Sequence, residues 1–398
     1  MQVGGPTDYQ VKCNSTGTAD YDNDGLLDIL MCARDDRDSL FKNMGGLNFT
    51  SVNTPIDNLS SWSTNTLFSD LDNDGDQDAI RIHRWQPSAI YENQEGTFVD
   101  ATPAALSTLS NVRSVEAKDF DNDGDHDLMV GSRAFGYAML MNNGGFNFTD
   151  VTSTHLPVHN QTANSSVSGD VDNDGDLDLY IAAFLGASEL WLNNGSGVFS
   201  ATASSANLQA GSDGPSMGGL NGDGMLDLYV PVWSSNNAYF LNTTSDGNNY
   251  LQVELEGLVS NKSAIGAKVK IYFNLFGNQV WRSREVQAIS QKQGQNDLKQ
   301  HFGVGGATEL DSLIIEWPSG LVCRYVNLPT NQEYYFQEVC CGSVPAPVIT
   351  EEVDTVSNGI SFTQDLPADE FQWIRSFLWG VAGSGEYFLE SIEEQFRI

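Results

Sequence analysis

The chain contains 398 residues, of which 53 are acidic and 19 basic, and its formal net charge is −34. This excess of negative charge argues against nucleic acid and anionic membranes as partners, because both bind clustered Lys and Arg, and it favours cations. Hydrophobic residues make up 40% of the chain and aromatic residues 10%, so the composition is that of a folded protein and not of an acidic disordered one.

The N-terminal region carries no recognisable targeting signal. Residues 1–10 lack the charged and apolar regions of a signal peptide, and no run of about 20 apolar residues could span a bilayer. We therefore expect unconventional export or a mature or partial chain, without membrane insertion.

An internal repeat governs the first part of the chain. A nine-residue acidic loop of the form Asp-x-Asp-x-Asp-Gly-x-x-Asp recurs, and its fifth copy is degenerate. The copies begin at Asp20, Asp70, Asp119, Asp170 and Gly219, and successive starts lie 50, 49, 51 and 49 residues apart. Such a regular spacing predicts a repeat architecture.

Each repeat shows the same order of short apolar segments around its acidic loop. The segments are rich in β-branched and aromatic residues and are bounded by turn residues, which favours strands over helices. The segments that leave the loops read LLDILMCA, QDAIRIH, HDLMVGS, LDLYIAAF and MLDLYVPV. A third strand ends in Asn and a fourth follows it in most repeats. Four strands in about 50 residues are typical of one propeller blade, so we predict an all-β fold with a β-propeller of four-stranded blades over residues 1–248.

The periodicity stops at Asn249. Residues 249–341 contain further strand-like segments, such as YLQVELEG and LDSLIIEWPSG, and we predict a second β-rich domain there. Residues 342–398 open with the proline-containing VPAPVIT and are predicted to form a linker and a C-terminal tail with short helices.

The acidic loops have the composition of calcium sites. Ca²⁺ takes six to eight oxygen ligands at roughly 2.3–2.6 Å, so a loop must converge several carboxylates on one point. Carboxylates stand at positions 1, 3, 5 and 9, Gly at position 6 permits a sharp turn, and position 7 would offer its backbone carbonyl whatever its side chain. In the first four loops the predicted ligands are Asp20, Asp22, Asp24, Leu26 and Asp28; Asp70, Asp72, Asp74, Asp76 and Asp78; Asp119, Asp121, Asp123, Asp125 and Asp127; and Asp170, Asp172, Asp174, Asp176 and Asp178.

The fifth loop is poorer in charge, because Gly219 stands at position 1. Its candidate ligands are Asn221, Asp223, Met225 and Asp227. We predict four calcium sites and a weak or empty fifth one.

The acidic loops have two alternative interpretations. An EF-hand needs a bidentate Glu at position 12 and a helix on each side, and position 12 holds Met31, Arg81, Val130, Ile181 and Val230. Asp and Asn also form hydrogen-bonded turns without a metal. Four or five carboxylates in one short loop would raise one another's pKa, however, so a bound cation is the better interpretation.

On these motifs, residues 8–248 resemble the FG-GAP or VCBS repeats of integrin α-chain-like β-propellers, where such loops bind Ca²⁺. Five repeats are evident, without the literal Phe-Gly and Gly-Ala-Pro signatures. Residues 249–337 resemble the ASPIC/UnbV domain that follows such repeats in cartilage-acidic-protein-like secreted proteins, through NNYLQVELEG, SNKSAIGAKVKIY, HFGVGG and WPSG. The resemblance implies an extracellular or cell-surface binding or structural protein.

The cysteines and the glycosylation sequons leave alternatives open. Bridges between Cys13 and Cys32, and between Cys323 and either Cys340 or Cys341, are considered beside free buried thiols. Sequons of the Asn-x-Ser/Thr type are either glycosylation sites or turn residues. They stand at Asn14, Asn48, Asn58, Asn147, Asn160, Asn164, Asn194, Asn242 and Asn261.

No catalytic motif is evident, so we expect a non-enzymatic protein. The histidines are scattered in sequence, namely His83, His126, His155, His159 and His301. The hypotheses are an adhesion or assembly protein, with filament formation included, and a secreted module that binds glycans or other ligands. Partners would be extracellular proteins or glycans. Exposed aromatic side chains such as Trp62, Trp85 or Trp233 would favour binding.

The tail carries two segments of helical spacing. Apolar residues recur in residues 370–380 and again in residues 388–396, separated by a Gly-Ser-Gly break. Two such short helices bury little apolar surface by themselves. We therefore expect them to pack against the second domain or to reach a neighbouring subunit and support self-assembly.

Overall fold

The computed structural model describes residues 12–339, apart from residues 35, 47, 59, 160, 161, 203–210, 234, 245 and 289–293. The predicted tail helices, Cys340 and Cys341 lie outside the described residues. No helix in the described part of the chain is long and apolar enough to cross a membrane.

Almost all of the regular secondary structure in the described residues is β-strand, as the sequence predicts. The first two repeats contain β1 (Lys12–Ala19), β2 (Asp28–Arg34), β3 (Asp36–Arg37), β4 (Ser39–Asn43), β5 (Phe49–Val52), a 3₁₀ turn (Pro55–Asn58), β6 (Ser60–Ser61), β7 (Ser63–Ser69), β8 (Asp78–His83), β9 (Ala89–Gln94) and β10 (Thr97–Asp100). The next three contain α1 (Ala104–Ser107), β11 (Val112–Lys118), β12 (Asp127–Ser132), β13 (Gly136–Asn142), β14 (Phe148–Asp150), α2 (Thr152–His155), β15 (Thr162–Gly169), β16 (Asp178–Leu185), β17 (Glu189–Asn193), β18 (Phe199–Ala201), β19 (Ser216–Gly218), β20 (Asp227–Val230) and β21 (Ala238–Phe240).

Each of the first four repeats forms one four-stranded antiparallel sheet. The orders are β1-β2-β4-β5, β7-β8-β9-β10, β11-β12-β13-β14 and β15-β16-β17-β18. The fifth repeat forms the three-stranded sheet β19-β20-β21, and β3 pairs with β6 as a short ribbon between the first two sheets. The predicted all-β fold of propeller blades is confirmed.

The sheets pack against one another in chain order. The innermost strands β1, β7, β11, β15 and β19 form consecutive contacts. The strands β8, β12 and β13 are buried along their whole length, because each sheet has a neighbour on both faces. Trp191, for example, is fully buried between the third and fourth sheets, where its ring contacts Tyr137 edge-on at 5.9 Å.

Residues 249–339, here called the second β module, form two further sheets. Their strands are β22 (Asn249–Glu256), β23 (Lys268–Leu275), β24 (Asn278–Glu285), β25 (Gln300–Gly305), β26 (Glu309–Glu316), β27 (Val322–Pro329) and β28 (Gln332–Gln337). One sheet has the order β25-β22-β28 and the other β24-β23-β26-β27. They enclose a core of aliphatic and aromatic side chains, including Ile271, Phe302 and Leu313.

The predicted bridge between Cys13 and Cys32 is wrong, because both thiols are free. The register of β1 and β2 pairs Cys13 with Ala33 and Ser15 with Cys32. Cys13 is exposed and Cys32 is buried, and the strand register does not place them directly opposite each other. Cys323 is disulfide-bonded, and its partner lies outside the described residues.

Two of the nine sequons are inaccessible. Asn164 and Asn261 are each 1% exposed, and the amide of Asn261 bonds both the N–H and the C=O of Ile265. These two sites therefore serve as structural turn or strand residues and are closed to a glycan in the folded chain.

The buried position of Trp191 yields a first test. Replacing Trp191 by Ala empties a core site between two blades and should lower the free energy of unfolding by about 3–5 kcal/mol. Trp233 is 68% exposed, so Trp233→Ala is the matched control and should change the free energy of unfolding by less than about 0.5 kcal/mol. Denaturant unfolding of both variants measures the difference, and equal effects would contradict the blade packing.

Candidate metal sites in the acidic loops

Each acidic loop connects the first two strands of its sheet and depends on two residues in the left-handed region. Position 6 is Gly in all five loops, with φ of +99° at Gly75 and at Gly124. Position 4 is Asn in the first four loops, with φ of 64° at Asn73 and at Asn122. Asn tolerates this conformation better than most side chains, which explains the recurrent Asp-Asn-Asp-Gly.

Position 9 fixes the loop to the sheet. The carboxylate of Asp78 accepts the backbone N–H of Leu71 at 2.8 Å with one oxygen and that of Asn93 at 2.8 Å with the other. The same pair of hydrogen bonds recurs at Asp28, Asp127, Asp178 and Asp227. Position 9 is thus a structural clamp in every repeat, including the degenerate one.

Three carboxylates converge in each of the first four loops. In each group, one oxygen from each of the three residues lies within 4.8 Å of those from the other two. The groups occupy positions 1, 3 and 9 and are Asp20, Asp22 and Asp28; Asp70, Asp72 and Asp78; Asp119, Asp121 and Asp127; and Asp170, Asp172 and Asp178. Each group could hold a metal ion.

The predicted ligands at position 5 lie outside these groups of three. Asp24, Asp74, Asp123 and Asp174 each accept the backbone N–H of position 7 in their own loop. These hydrogen bonds tighten the turn that carries the glycine.

The side chain at position 7 makes contacts that the sequence alone does not predict. The amide of Asn73 donates to Asp125 of the next loop at 2.7 Å, and that of Asn122 donates to Asp176 at 3.0 Å. Asn23 bonds Asp76 in the same way at 2.9 Å. Position 7 thus links each loop to its predecessor; at Leu26, in the first loop, no such bond is possible.

The Asn that ends the third strand links the loops in the opposite direction. Asn142 donates to the backbone carbonyl of Leu71 in the preceding loop at 2.8 Å, and Asn193 donates to that of Phe120 at 2.8 Å. The sequence shows the recurrent Asn but not its partner, which lies about 70 residues away.

The fifth loop gathers no group of three carboxylates within the described residues. Asn221 donates to Asp223 at 2.7 Å, while Asp227 performs the clamp described above. Met225 contacts the Asn173 amide through its sulfur at 3.0 Å. The geometry therefore gives this loop little capacity for a cation.

Buried carboxylates in the four full loops are only partly compensated. Burial, together with the charges of carboxylates in the same loop, raises the pKa of Asp78 to about 8, that of Asp127 to about 9 and that of Asp170 to about 8. Within the described part of the chain, Asp22 Oδ1 and Asp170 Oδ1 are buried and accept no hydrogen bond. A cation bound among these oxygens would supply the missing positive charge and ligand contacts, so the residues present fit a metal ion.

Two loops also hold a lysine of the chain itself. The ammonium of Lys42 bonds Asp22 and lies 3.1 Å from Asp24, and that of Lys268 lies 2.7 Å from Asp70. Lys268 belongs to the second β module, about 200 residues from the loop. The full loops are therefore not equivalent electrostatically.

The second β module packs on the acidic loops. Arg282 donates to the Gly175 carbonyl at 2.7 Å and to Asp176 at 2.8 Å, and the Gly303 N–H donates to Asp170 at 2.8 Å. Glu285 is 1% exposed and bonds both Ser69 and His126 at the bases of two loops. Sequence reasoning missed these residues, because they lie outside the repeat and no spacing relates them to it.

Both the repeats and the second β module resemble known protein families. Residues 20–81, 70–130 and 170–230 match the FG-GAP-like repeat, and residues 257–340 match the ASPIC and UnbV family. Cartilage acidic protein 1 of Xenopus tropicalis is 26% identical over 255 residues, covering 59% of this chain and 38% of that protein. The Homo sapiens protein of the same name is 26% identical over 264 residues, covering 60% and 38%. The matched region thus spans 38% of the length of these relatives.

Solved structures also resemble the chain at low identity. BBS1N in complex with ARL6DN covers 81% of this chain and 94% of its own, with 12% identity and a TM-score of 0.37. Sqt1 of Saccharomyces cerevisiae covers 83% of this chain and 79% of its own, with 10% identity and a TM-score of 0.38.

The difference between full and degenerate loops can be measured by counting bound metal. Asp72→Ala and Asp121→Ala each remove a converging carboxylate from a full loop and should each lower the calcium content by about one ion per chain. Asp223→Ala is the control and should leave the content unchanged. Native mass spectrometry in calcium reports the count, and equal losses in all three variants would show that the fifth loop is a full site.

The packing of the second β module can be tested at two glycines. A Cβ at position 124 would lie 2.7 Å from the Trp281 ring, whereas a Cβ at position 75 would meet nothing within 4 Å. Gly75→Ala and Gly124→Ala both carry a strain of about 1–2 kcal/mol because φ is positive at each. Only Gly124→Ala should also accelerate hydrogen exchange in β23 and β24; the same exchange in both variants would contradict the contact.

Proposed function

We propose that this chain, in which FG-GAP-like repeats precede an ASPIC and UnbV domain, is an extracellular calcium-binding protein that acts by binding or structural assembly. The observation that carries the proposal is the convergence of three carboxylates in each of four loops. FG-GAP-like repeats and the likeness to cartilage acidic protein 1 support an adhesion-type role.

Calcium is the metal that these loops suit best. The converging groups offer carboxylate oxygens alone, without the thiolate or imidazole ligands that zinc and copper sites use. Calcium accepts six to eight oxygens in flexible geometry, whereas Mg²⁺ demands a compact octahedron and retains several waters. Calcium bound in the loops would neutralise carboxylates that burial otherwise disfavours.

Hydrogen bonds and ion pairs connect each acidic loop to its own sheet, to the next loop and to the second β module. A well-ordered loop therefore stabilises the whole array of repeats. Asn73 and Asn122 fix each loop to the next, and the clamp at position 9 fixes each loop to its sheet. Lys268 and Arg282 fix the second β module to two of the loops. A loop whose charges repel would loosen all three kinds of contact.

An extracellular location agrees with two features. Cys323 is disulfide-bonded, and such bonds persist mainly in oxidising compartments. Low-affinity calcium sites of extracellular modules require calcium near 10⁻⁴–10⁻³ M, which cytosol does not supply.

A binding role without catalysis forms part of the proposal. All five histidines make hydrogen bonds within the fold, and we propose that these bonds are structural. The pairs are His83 with Ser63, His126 with Ser69, His155 with Thr154, His159 with the Tyr137 N–H and His301 with the Gly224 carbonyl. The partners we propose are extracellular proteins or glycans, with self-assembly through residues 342–398 as one form of structural role.

Chelation tests the calcium proposal directly. At about ten times a dissociation constant of 10⁻⁴–10⁻³ M, each site adds roughly 1.4 kcal/mol to the free energy of unfolding, and four sites add about 6 kcal/mol. We expect EGTA to lower the melting temperature sharply and readdition of calcium, but not magnesium, to restore it. A melt that EGTA leaves unchanged would refute calcium binding.

A further inference from the structure

The ends of the sheets opposite the acidic loops carry a row of arginine and aromatic side chains. The row occupies one repeated position, 14 residues after the first residue of each loop, at or near the end of the second strand. From the first repeat to the fifth it contains Arg34, Arg84, Arg133, Phe184 and Trp233. We call these five residues, together with Trp62 and Trp85, the arginine–aromatic row.

Neighbouring members of the row stack on one another. The guanidinium carbon of Arg34 lies 3.7 Å from the centre of the Trp62 ring, and that of Arg84 lies 4.7 Å from Trp62 and 4.4 Å from Trp85. Further along, Arg133 lies 3.6 Å from the Phe184 ring, which is 6.4 Å from that of Trp233. Cation–π contacts of this kind fix the planes of the guanidinium groups.

The row is open to solvent at its tryptophans. Trp85 is 62% exposed and Trp233 is 68% exposed. A single exposed apolar side chain is ordinary, but these two lie at the same end of their blades beside stacked arginines. Trp and Arg are the residue types most enriched where proteins bind tightly to partners.

Arg113 in the third blade departs from the structural pattern of its repeat position. Six residues before the loop, three other blades hold Asn or Thr, which bonds the backbone carbonyl of the next blade. These bonds join Asn14 to Ser63 at 2.8 Å, Thr64 to Val112 at 3.1 Å and Asn164 to Ser212 at 2.9 Å. Arg113 is 5% exposed, and its Nε and Nη2 atoms have no hydrogen-bond partner within the described residues.

Positive charge is concentrated around Arg113. Burial, followed by the charges of Arg133 and Arg84, lowers the pKa of Arg113 to about 10, while Asp213 opposes this effect. Arg84 and Arg133 thus lie near enough to Arg113 to disfavour its charge, in a chain whose net charge is −34. The buried donors of Arg113 and this local excess of positive charge both call for an anionic ligand.

We propose that the arginine–aromatic row docks a short acidic peptide segment of a partner protein. A carboxylate of the segment is held by Arg84, Arg113 and Arg133, and its flanking apolar side chains contact Trp85 and Trp233. This deepens the proposed binding function by naming the partner's chemistry, and it rests on residues distant from the acidic loops.

The local charge pattern favours a peptide over a polyanionic glycan. The planar fork of Arg matches a carboxylate in a bidentate manner, and a small cluster of arginines suits one or two acidic groups. A long polyanion would extend onto a surface that is strongly negative overall and would be repelled there.

The test uses the full chain in saturating calcium and the variant Arg113→Asn. Asn occupies the equivalent position at Asn14 and Asn164, so the variant carries a residue that bonds the next blade in two other repeats. Arg324→Asn is the matched control, because Arg324 is exposed on β27 and the charge change is the same. The probe is a fluorescein-labelled short peptide of alternating Glu and Phe, compared with the same peptide carrying Gln for Glu.

Fluorescence anisotropy should show the Glu peptide binding at least tenfold more tightly than the Gln peptide. Arg113→Asn should weaken the Glu peptide at least tenfold, Arg324→Asn should bind like the wild type, and thermal melting should confirm that both variants fold. Trp85→Ala, at an exposed site, should also weaken binding of the Glu peptide. If Arg113→Asn does not fold, this variant tests the proposed site in its place.

Equal binding of the Glu and Gln peptides, no binding to the wild type, or unchanged affinity in the Arg113→Asn variant would overturn the proposal. Binding of a sulfated oligosaccharide in place of the Glu peptide would overturn the peptide assignment. Calcium content is measured on the same samples, so a chain that discriminates the peptides without binding calcium would refute the calcium proposal alone.

Discussion

Repulsion among buried carboxylates is the constraint on which the arrangement of the repeats depends. Each full loop brings three aspartates within 4.8 Å at the end of a sheet, where burial already disfavours their charge. Backbone N–H groups offset part of this cost, since each position 9 aspartate accepts two of them. The rest of this electrostatic cost must be offset by a positive charge near the carboxylates. Because the same loops bond the next blade and the second β module, the charge balance of one loop affects packing at a distance.

The chain meets this demand differently from loop to loop. Lys42 and Lys268 each bring one ammonium to a loop, whereas the fourth loop receives the Gly303 N–H and the guanidinium of Arg282. An ammonium supplies one charge and a divalent cation supplies two, so the loops differ in how much charge a bound ion must still compensate. The second β module is therefore part of the electrostatic environment of the loops and not a separate appendage.

The sequence predicts what lies within one repeat and misses what lies between repeats. Three ligand positions fall within nine residues, so their convergence follows from the spacing of Asp70, Asp72 and Asp78. The role of position 7 does not, because Asp125 bonds Asn73 across a blade interface that only packing creates. Lys268 and Glu285 are more distant still and follow no period. The bridge expected between Cys13 and Cys32 failed for a related reason, since strand register decides which side chains face each other.

Because the blades repeat, a residue can be compared with those at the same position in other blades. This comparison distinguishes residues that the fold requires from residues that serve another purpose. Where a position performs the same backbone contact in several blades, as Asn14, Thr64 and Asn164 do, the fold accounts for it. Arg113 occupies that position and leaves buried donors without a partner in the described residues, which costs stability. The neighbouring blades show that a smaller residue suffices there. A side chain that departs from this pattern and places charge beside Arg84 and Arg133 agrees with the proposed binding of an anionic ligand.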